Sequence, residues 1–131
     1  MKVVFDTNIY VSALALPQSQ AASTIARIID GVDELIISKA IIDELLGVLA
    51  RKFSRDADEL ARVAVFLTDM ASLARPRRRL QVLTDDPDNR ILECALTGDA
   101  DAIVTGDRAM LELKIFRGIR LISLREYLAS E

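Results

Sequence analysis

Short apolar runs alternate with longer stretches of helical periodicity along almost the whole of this 131-residue chain, and no other feature narrows its fold as much. Lys2 to Phe5, Glu34 to Ile37, Leu80 to Leu83, Ala102 to Thr105 and Ile119 to Ile122 read as strands. Most are nearly continuous in apolar residues and rich in Val and Ile, as suits parallel strands buried on both faces. Between them the spacing predicts helices over Asn8–Leu14, Ser19–Asp30, Lys39–Phe53, Asp56–Ala74, Asp88–Thr97 and Arg108–Leu113, and a last one over Arg125–Ala129. Ser123 with Glu126 three residues on forms a capping box, Ser38 is placed to cap the third helix, and Gly98 to stop the fifth. Pro17 and Pro76 mark breaks. Alternating β and α implies a three-layer α/β sandwich with right-handed crossovers. The length, the 51% apolar content and the absence of a dividing linker predict one domain, residues 1–131.

Two residue types remove whole classes of chemistry. There is no histidine, which excludes histidine-based hydrolase triads, histidine phosphotransfer and most catalytic zinc sites. The single cysteine, Cys94, allows neither an internal disulfide nor a cysteine zinc site, and its helical spacing suits a core position. No apolar run approaches the roughly 18 residues of a membrane span, and the N-terminus lacks the pattern of a signal peptide. A reduced, cytoplasmic setting is expected. A net charge of −3 argues against broad nucleic-acid affinity, but a carboxylate-rich site lowers the total while a local basic surface still meets phosphates.

Four acids stand out. Asp6 and Asp107 follow apolar runs immediately, and ligands of open α/β sheets sit beyond the carboxyl ends of the strands. Asp99 and Asp101 precede a strand, belong at the opposite end, and are excluded. At 100° per residue, Glu44 falls on the flank of the stripe made by Ile41, Leu45, Val48 and Leu49, while Asp43 faces water. Asp88 shares a face with Ile91 and Ala95 at a helix N-terminus, where the dipole favours its ionised form, and Glu93 points away. Two carboxylates ~4 Å apart repel by about 1 kcal/mol in water and about 4 kcal/mol at an effective dielectric near 20. Gathered together, four such groups call for a cation, and an oxygen-only donor set favours Mg²⁺ or Mn²⁺ over zinc.

Several other residues carry two readings each. Asn8 either holds a phosphate or the Asp6 carboxylate, or begins a helix. Thr105 either supports the site or caps a strand-end turn. Arg75, Arg77, Arg78 and Arg79, around Pro76, are either phosphate contacts or a solvated loop. Arg51, Lys52 and Arg55 complement the C-terminus of the third helix.

The segments Val3-Val4-Phe5-Asp6-Thr7-Asn8, Ser38 with Glu44, Asp86-Pro87-Asp88-Asn89-Arg90-Ile91-Leu92-Glu93-Cys94-Ala95 and Ile103-Val104-Thr105-Gly106-Asp107 occur in this order over nearly the whole chain. In them the sequence resembles the PIN-domain family, in particular its VapC-like toxins of prokaryotic toxin–antitoxin pairs. The resemblance implies a central, mostly parallel five-stranded sheet and an Mg²⁺- or Mn²⁺-dependent endoribonuclease. It implies Asp6, Glu44, Asp88 and Asp107 as the catalytic, metal-binding acids, with Asn8 and Thr105 in support. It also implies a homodimer and an antitoxin partner that covers the acidic cleft. Asp86, before Pro87, is either an outer acid or a loop residue.

Two other phosphoryl chemistries fit less well. An aspartyl phosphotransferase of the haloacid-dehalogenase type needs a second Asp where this chain has Asn8. A receiver domain needs an acidic pair at the first strand's end and a Lys after the last strand, where Ser123-Leu124-Arg125 stands. The alternative from another class is a non-catalytic PIN-like module that binds RNA or protein.

Overall fold

The computed structural model describes residues 1–130. Its centre is a six-stranded sheet in the order β3-β2-β1-β4-β6-β5. The strands are β1 (Lys2–Phe5), β2 (Glu34–Ser38), β3 (Ser72–Ala74), β4 (Ala102–Val104), β5 (Ile115–Phe116) and β6 (Ile119–Ile122). The helices are α1 (Thr7–Ala15), α2 (Ala22–Ile29), α3 (Lys39–Lys52), α4 (Ala57–Met70), α5 (Asp86–Thr97), α6 (Arg108–Leu113) and α7 (Leu124–Ala129). All strand pairs are parallel except β5 with β6. The expected α/β fold with a mostly parallel central sheet is therefore borne out, with six strands rather than five.

The inner strands are apolar for the expected reason. Val3, Val4, Phe5, Leu35, Ile37 and Ile103 are fully buried, and one core cluster runs from β1 through α5 to Tyr127. The helix faces sort as predicted: Ile41, Leu45 and Leu49 are buried, Asp43 is exposed and pairs with Lys39, and Glu44 is half-buried. The Ser123–Glu126 capping box is formed, and Ser38 caps α3 through the Ile41 N–H. Gly98 does end α5, but by close approach rather than a left-handed turn: a Cβ there would lie 2.5 Å from Ile36 Cγ2.

Two assignments change, for one linked reason. Leu80–Leu83 is not a strand, and the helix expected to run to Ala74 stops at Met70. The edge position beside β2 is taken by Ser72–Ala74, although Met70-Ala71-Ser72-Leu73-Ala74 holds no helix breaker, so sheet pairing overrides local propensity. The backbone of residues 80–83 is instead satisfied by side chains of α5. Leu80 N–H donates to Glu93 Oε2 (2.7 Å) and Leu80 O accepts from Arg90 Nη2 (3.0 Å). Asn89 Oδ1 accepts from Val82 and Leu83 N–H (3.0 and 2.8 Å), and its amide donates to Leu83 O (2.9 Å). Glu93 was expected to point away into solvent; it is buried because this segment lies over it. The short β5 was missed, although Arg117-Gly118 supplies the two consecutive positive φ angles (48° and 84°) of a tight hairpin turn.

Replacing Asn89 by Ala strands the three backbone groups it serves. The expected loss is roughly 2–3 kcal/mol of stability, read as a shift in urea midpoint. A loss below about 0.5 kcal/mol would contradict the role given to Asn89.

Candidate functional site

The sheet changes direction between β1 and β4. From β1 the chain builds outward through β2 and β3; it then returns to place β4, β6 and β5 on the other side. The crevice beyond the carboxyl ends at such a switch point is where an open α/β sheet receives ligands. Asp6 follows β1 and its N–H donates to Val104 O (2.9 Å), so the two strand ends are in register there. Thr105 and Asp107 follow β4. Asp88 arrives from the first turn of α5, which packs across β1 and β2.

One hydroxyl links two of these acids. Thr105 is fully buried, donates from Oγ1 to Asp6 Oδ2 (2.6 Å) and accepts the Asp107 N–H (3.0 Å). Asp6 also caps α1, with Oδ1 receiving the Asn8 N–H at a long 3.5 Å. Asp107 caps α6, with Oδ1 receiving the Met110 N–H at 3.0 Å. Burial pushes the Asp6 carboxyl above its ordinary value; the Thr105 and backbone hydrogen bonds oppose this, and the Asp107 charge adds to it.

Asp88 is the least compensated. Only 6% of the residue is exposed, and no protein donor reaches its carboxylate among the described residues. Burial first, then the charges of Asp107, Asp6 and Asp85, raise its pKa to about 7. Asp33, a buried carboxylate on the opposite rim, shows the contrast. Burial alone would raise it as well, but the N-terminal amine (2.8 Å), Tyr127 hydroxyl (2.7 Å) and Arg27 Nε (3.2 Å) outweigh burial and lower it. A structural buried carboxylate is surrounded by donors in this way. Asp88 is surrounded by acids.

Asp6, Asp88, Asp107 and Thr105 are thus brought together. Glu44 lines a cleft of about 120 Å³ with Thr7, Ala40, Ile41, Asp86, Pro87 and Arg90, and its charge is not among those acting on Asp6 or Asp88. Asn8 is exposed at the start of α1, and only its backbone is engaged. Asp101 lies at the far rim as expected, accepting from Lys2 N–H (2.8 Å). Asp85, a loop residue by sequence, is exposed in the loop before α5, at its N-cap position but with no side-chain cap hydrogen bond, and adds its charge to Asp88; what sequence reasoning missed is how near the helix start lies to it. The signal was Pro87: proline is tolerated in a first helical turn, which moves the helix start back to Asp86. Asp86 is exposed and pairs with Arg90 (3.2 Å) and, more loosely, Arg79 (3.8 Å).

Among the described residues no three acidic or thiol side chains form a ready-made metal cage. The donor chemistry nevertheless fits a hard divalent cation. Mg²⁺ commonly takes one or two carboxylates and completes its shell with water and substrate phosphate, so it does not require such a cage.

The PIN-domain family model matches residues 2–109. The chain belongs to the PIN-domain family. This PIN domain is 25% identical to an uncharacterised protein of Methanocaldococcus jannaschii over 118 residues, which are 87% of this chain and 76% of that protein. Its fold matches a chain of the VapBC2 structure from Rickettsia felis bound to a DNA fragment from their promoter, with a TM-score of 0.65 at 17% identity, over 94% of this chain and 98% of that one. It also matches VapBC-1 from nontypeable Haemophilus influenzae, with a TM-score of 0.66 at 17% identity, over 95% and 99% of the two chains. At these identities the likeness shows the fold. No helix is long and apolar enough to cross a membrane among the described residues.

The raised Asp88 pKa has a consequence for stability. The folded PIN domain retains this proton at pH values where the unfolded chain has released it. Without divalent metal, the contribution of Asp88 to stability therefore falls as pH rises from 3.8 to about 7, and is flat above. Asp88→Asn is expected to melt above the wild type in EDTA at neutral pH, with the difference vanishing towards the low end of that window. An Asp88→Asn protein less stable than wild type throughout would contradict the electrostatic account.

Proposed function

We propose that this PIN domain is a metal-dependent endoribonuclease acting as the toxin component of a toxin–antitoxin pair. The observation that carries the reading is Asp88, buried without a donor against Asp6 and Asp107 at the sheet's switch point. Family membership and the VapBC fold neighbours support it.

In this reading Asp6, Glu44, Asp88 and Asp107 are the acidic ligand set for Mg²⁺ or Mn²⁺. The bound ion supplies Lewis acidity at the phosphodiester and lowers the pKa of the attacking water. The chain's own part is positional. Thr105 fixes the Asp6 carboxylate and the Asp107 backbone, so two ligands are oriented by one hydroxyl. Asp88 is ready to release its proton when positive charge arrives, because burial and like charges are what hold the proton there. Glu44 approaches from the flanking cleft, and exposed Asn8 is available to a substrate phosphate. No histidine is needed, and the chain has none. Hydrolysis is expected to leave 5′-phosphate and 3′-hydroxyl ends on the RNA. The proposal includes a homodimer, an antitoxin protein covering the acidic cleft, and a cytoplasmic setting compatible with the one buried thiol, Cys94.

The second reading is a PIN-like module that binds RNA or protein without cutting. The two separate on labelled RNAs incubated with Mn²⁺. The nuclease reading predicts cleavage abolished by EDTA, reduced at least about 100-fold by Asp6→Asn, and reduced about 10–100-fold by Thr105→Val, which removes an orienting partner. Full metal-dependent cleavage by Asp6→Asn would sink the nuclease assignment.

A further inference from the structure

The carboxyl rim of the sheet is electrically divided. Following the strand order, Arg75 leaves β3, Lys39 leaves β2, Asp6 leaves β1 and Thr105-Gly106-Asp107 leaves β4. Cations therefore leave β3 and β2, with Lys39 paired to Asp43, while carboxylates leave β1 and β4, with Arg108 next to Asp107. Arg75, Arg77, Arg78 and Arg79 are all exposed. The first three form no ion pair among the described residues, and Arg79 has only the 3.8 Å contact to Asp86.

These arginines line two cavities. One, of about 480 Å³, lies between Ser38–Ala40 and Leu73–Arg75 and includes Arg79 and Arg90. The other, of about 340 Å³, is lined by Arg75, Arg77 and Arg78 and shares Arg75 and Glu93 with the first. The Glu44 cleft in turn shares Ala40 and Arg90 with the larger cavity. The three adjoin through these shared residues as one trench from the arginine cluster to the Glu44 cleft, whose Thr7 and Pro87 are the chain neighbours of Asp6 and Asp88. Arg90 sits at the junction. Its Nη2 serves Leu80 O, Asp86 and Glu93, while its buried Nε and Nη1 have no protein acceptor.

We propose that this trench holds the phosphate backbone of an RNA strand and delivers the scissile phosphate to Asp6, Asp88 and Asp107. The proposal rests on the nuclease reading. An acidic site on a chain of net charge −3 repels a polyanion, so approach requires cations that are unpaired and continuous with the site. Guanidinium groups also meet phosphate oxygens through two parallel hydrogen bonds, which lysine cannot do. Arg108, beside Asp107, and Arg125, past β6, are also exposed and without an ion pair among the described residues, but only the Arg75–Arg79 cluster lines cavities that adjoin the Glu44 cleft, so the strand is held on the β3 side.

The test is RNA binding in an Asp6→Asn background, where cutting is suppressed, followed by fluorescence anisotropy of a labelled single-stranded RNA in Mg²⁺ across a range of KCl. The cluster variant carries Arg75→Gln, Arg77→Gln and Arg78→Gln. The control removes equal charge from the opposite rim through Lys2→Gln, Arg117→Gln and Arg120→Gln. The substituted arginines of the cluster are exposed, and matching melting temperatures check that all proteins are folded. The expected result is affinity at least about tenfold weaker for the cluster variant and a salt slope shallower by about 2, from three lost phosphate contacts at about 0.7 each, with the control close to the parent. Equal losses in both variants, or no loss in the cluster variant, would overturn the trench. So would a parent that ignores RNA but binds polyglutamate through the same arginines, which would mark the surface as a dock for an acidic protein segment. Cleavage by protein with Asp6 intact is scored separately. RNA held by the cluster but never cut would sink the nuclease reading and keep the trench; RNA cut in Mn²⁺ without regard to the cluster would do the reverse.

Discussion

Repulsion among carboxylates that the fold forces together is the interaction on which the rest of this molecule turns. Asp6 and Asp107 are fixed at adjacent strand ends, and Asp88 is delivered against them on the first turn of a helix buried along the sheet. None can retreat. Asp6 is tied by Thr105, Asp107 by its cap to α6, and Asp88 by the packing of Ile91, Leu92 and Ala95. Burial and like charge then leave a proton on Asp88 up to about pH 7. Carboxylates that served structure alone would be arranged like Asp33, which is surrounded by an amine, a guanidinium and a phenol. Crowding of like charge at the crevice of an α/β sheet marks these carboxylates as a candidate site for positive charge.

The same topology accounts for the division of charge along the rim. A switch point separates the strands into two groups, and the residues following each group meet a ligand from opposite sides. Here the β1 and β4 ends carry Asp6 and Asp107, and the β3 and β2 ends carry Arg75 and Lys39. Arg90 and Asn89 join the two halves. They extend from the helix that bears Asp88 and fasten residues 80–83, the segment that leads from the arginine cluster back into α5.

Much of the site was legible because two rules operate locally. A carboxylate directly after a buried strand must lie at the sheet's carboxyl rim, which located Asp6 and Asp107 and excluded Asp101. Helical angle separated Glu44 from Asp43. What local rules could not supply was competition between distant segments. Leu80–Leu83 has a strand's composition but lies where α5 offers side-chain partners, whereas Ser72–Ala74 has a helix's composition but lies beside an open edge of β2. Glu93 looked solvent-facing because helical angle knows only its own helix; the segment that buries it comes from elsewhere in the chain. Asp85 reads as a loop residue and is one, but its nearness to Asp88 follows only from a helix start at Asp86, which the first-turn preference of Pro87 marks. Glu44 was sorted to the right face, yet whether it reaches the other acids is a distance between helices, and no periodicity encodes that.

The central claim is that these carboxylates await a divalent cation, and calorimetric titration with Mn²⁺ in buffers of different ionisation enthalpy tests it most directly. At about pH 6.5 binding should release a substantial fraction of a proton from Asp88, seen as a buffer-dependent heat that fades by about pH 8 and is absent from Asp88→Asn. No binding at millimolar Mn²⁺, or binding that Asp88→Asn leaves untouched, would contradict it.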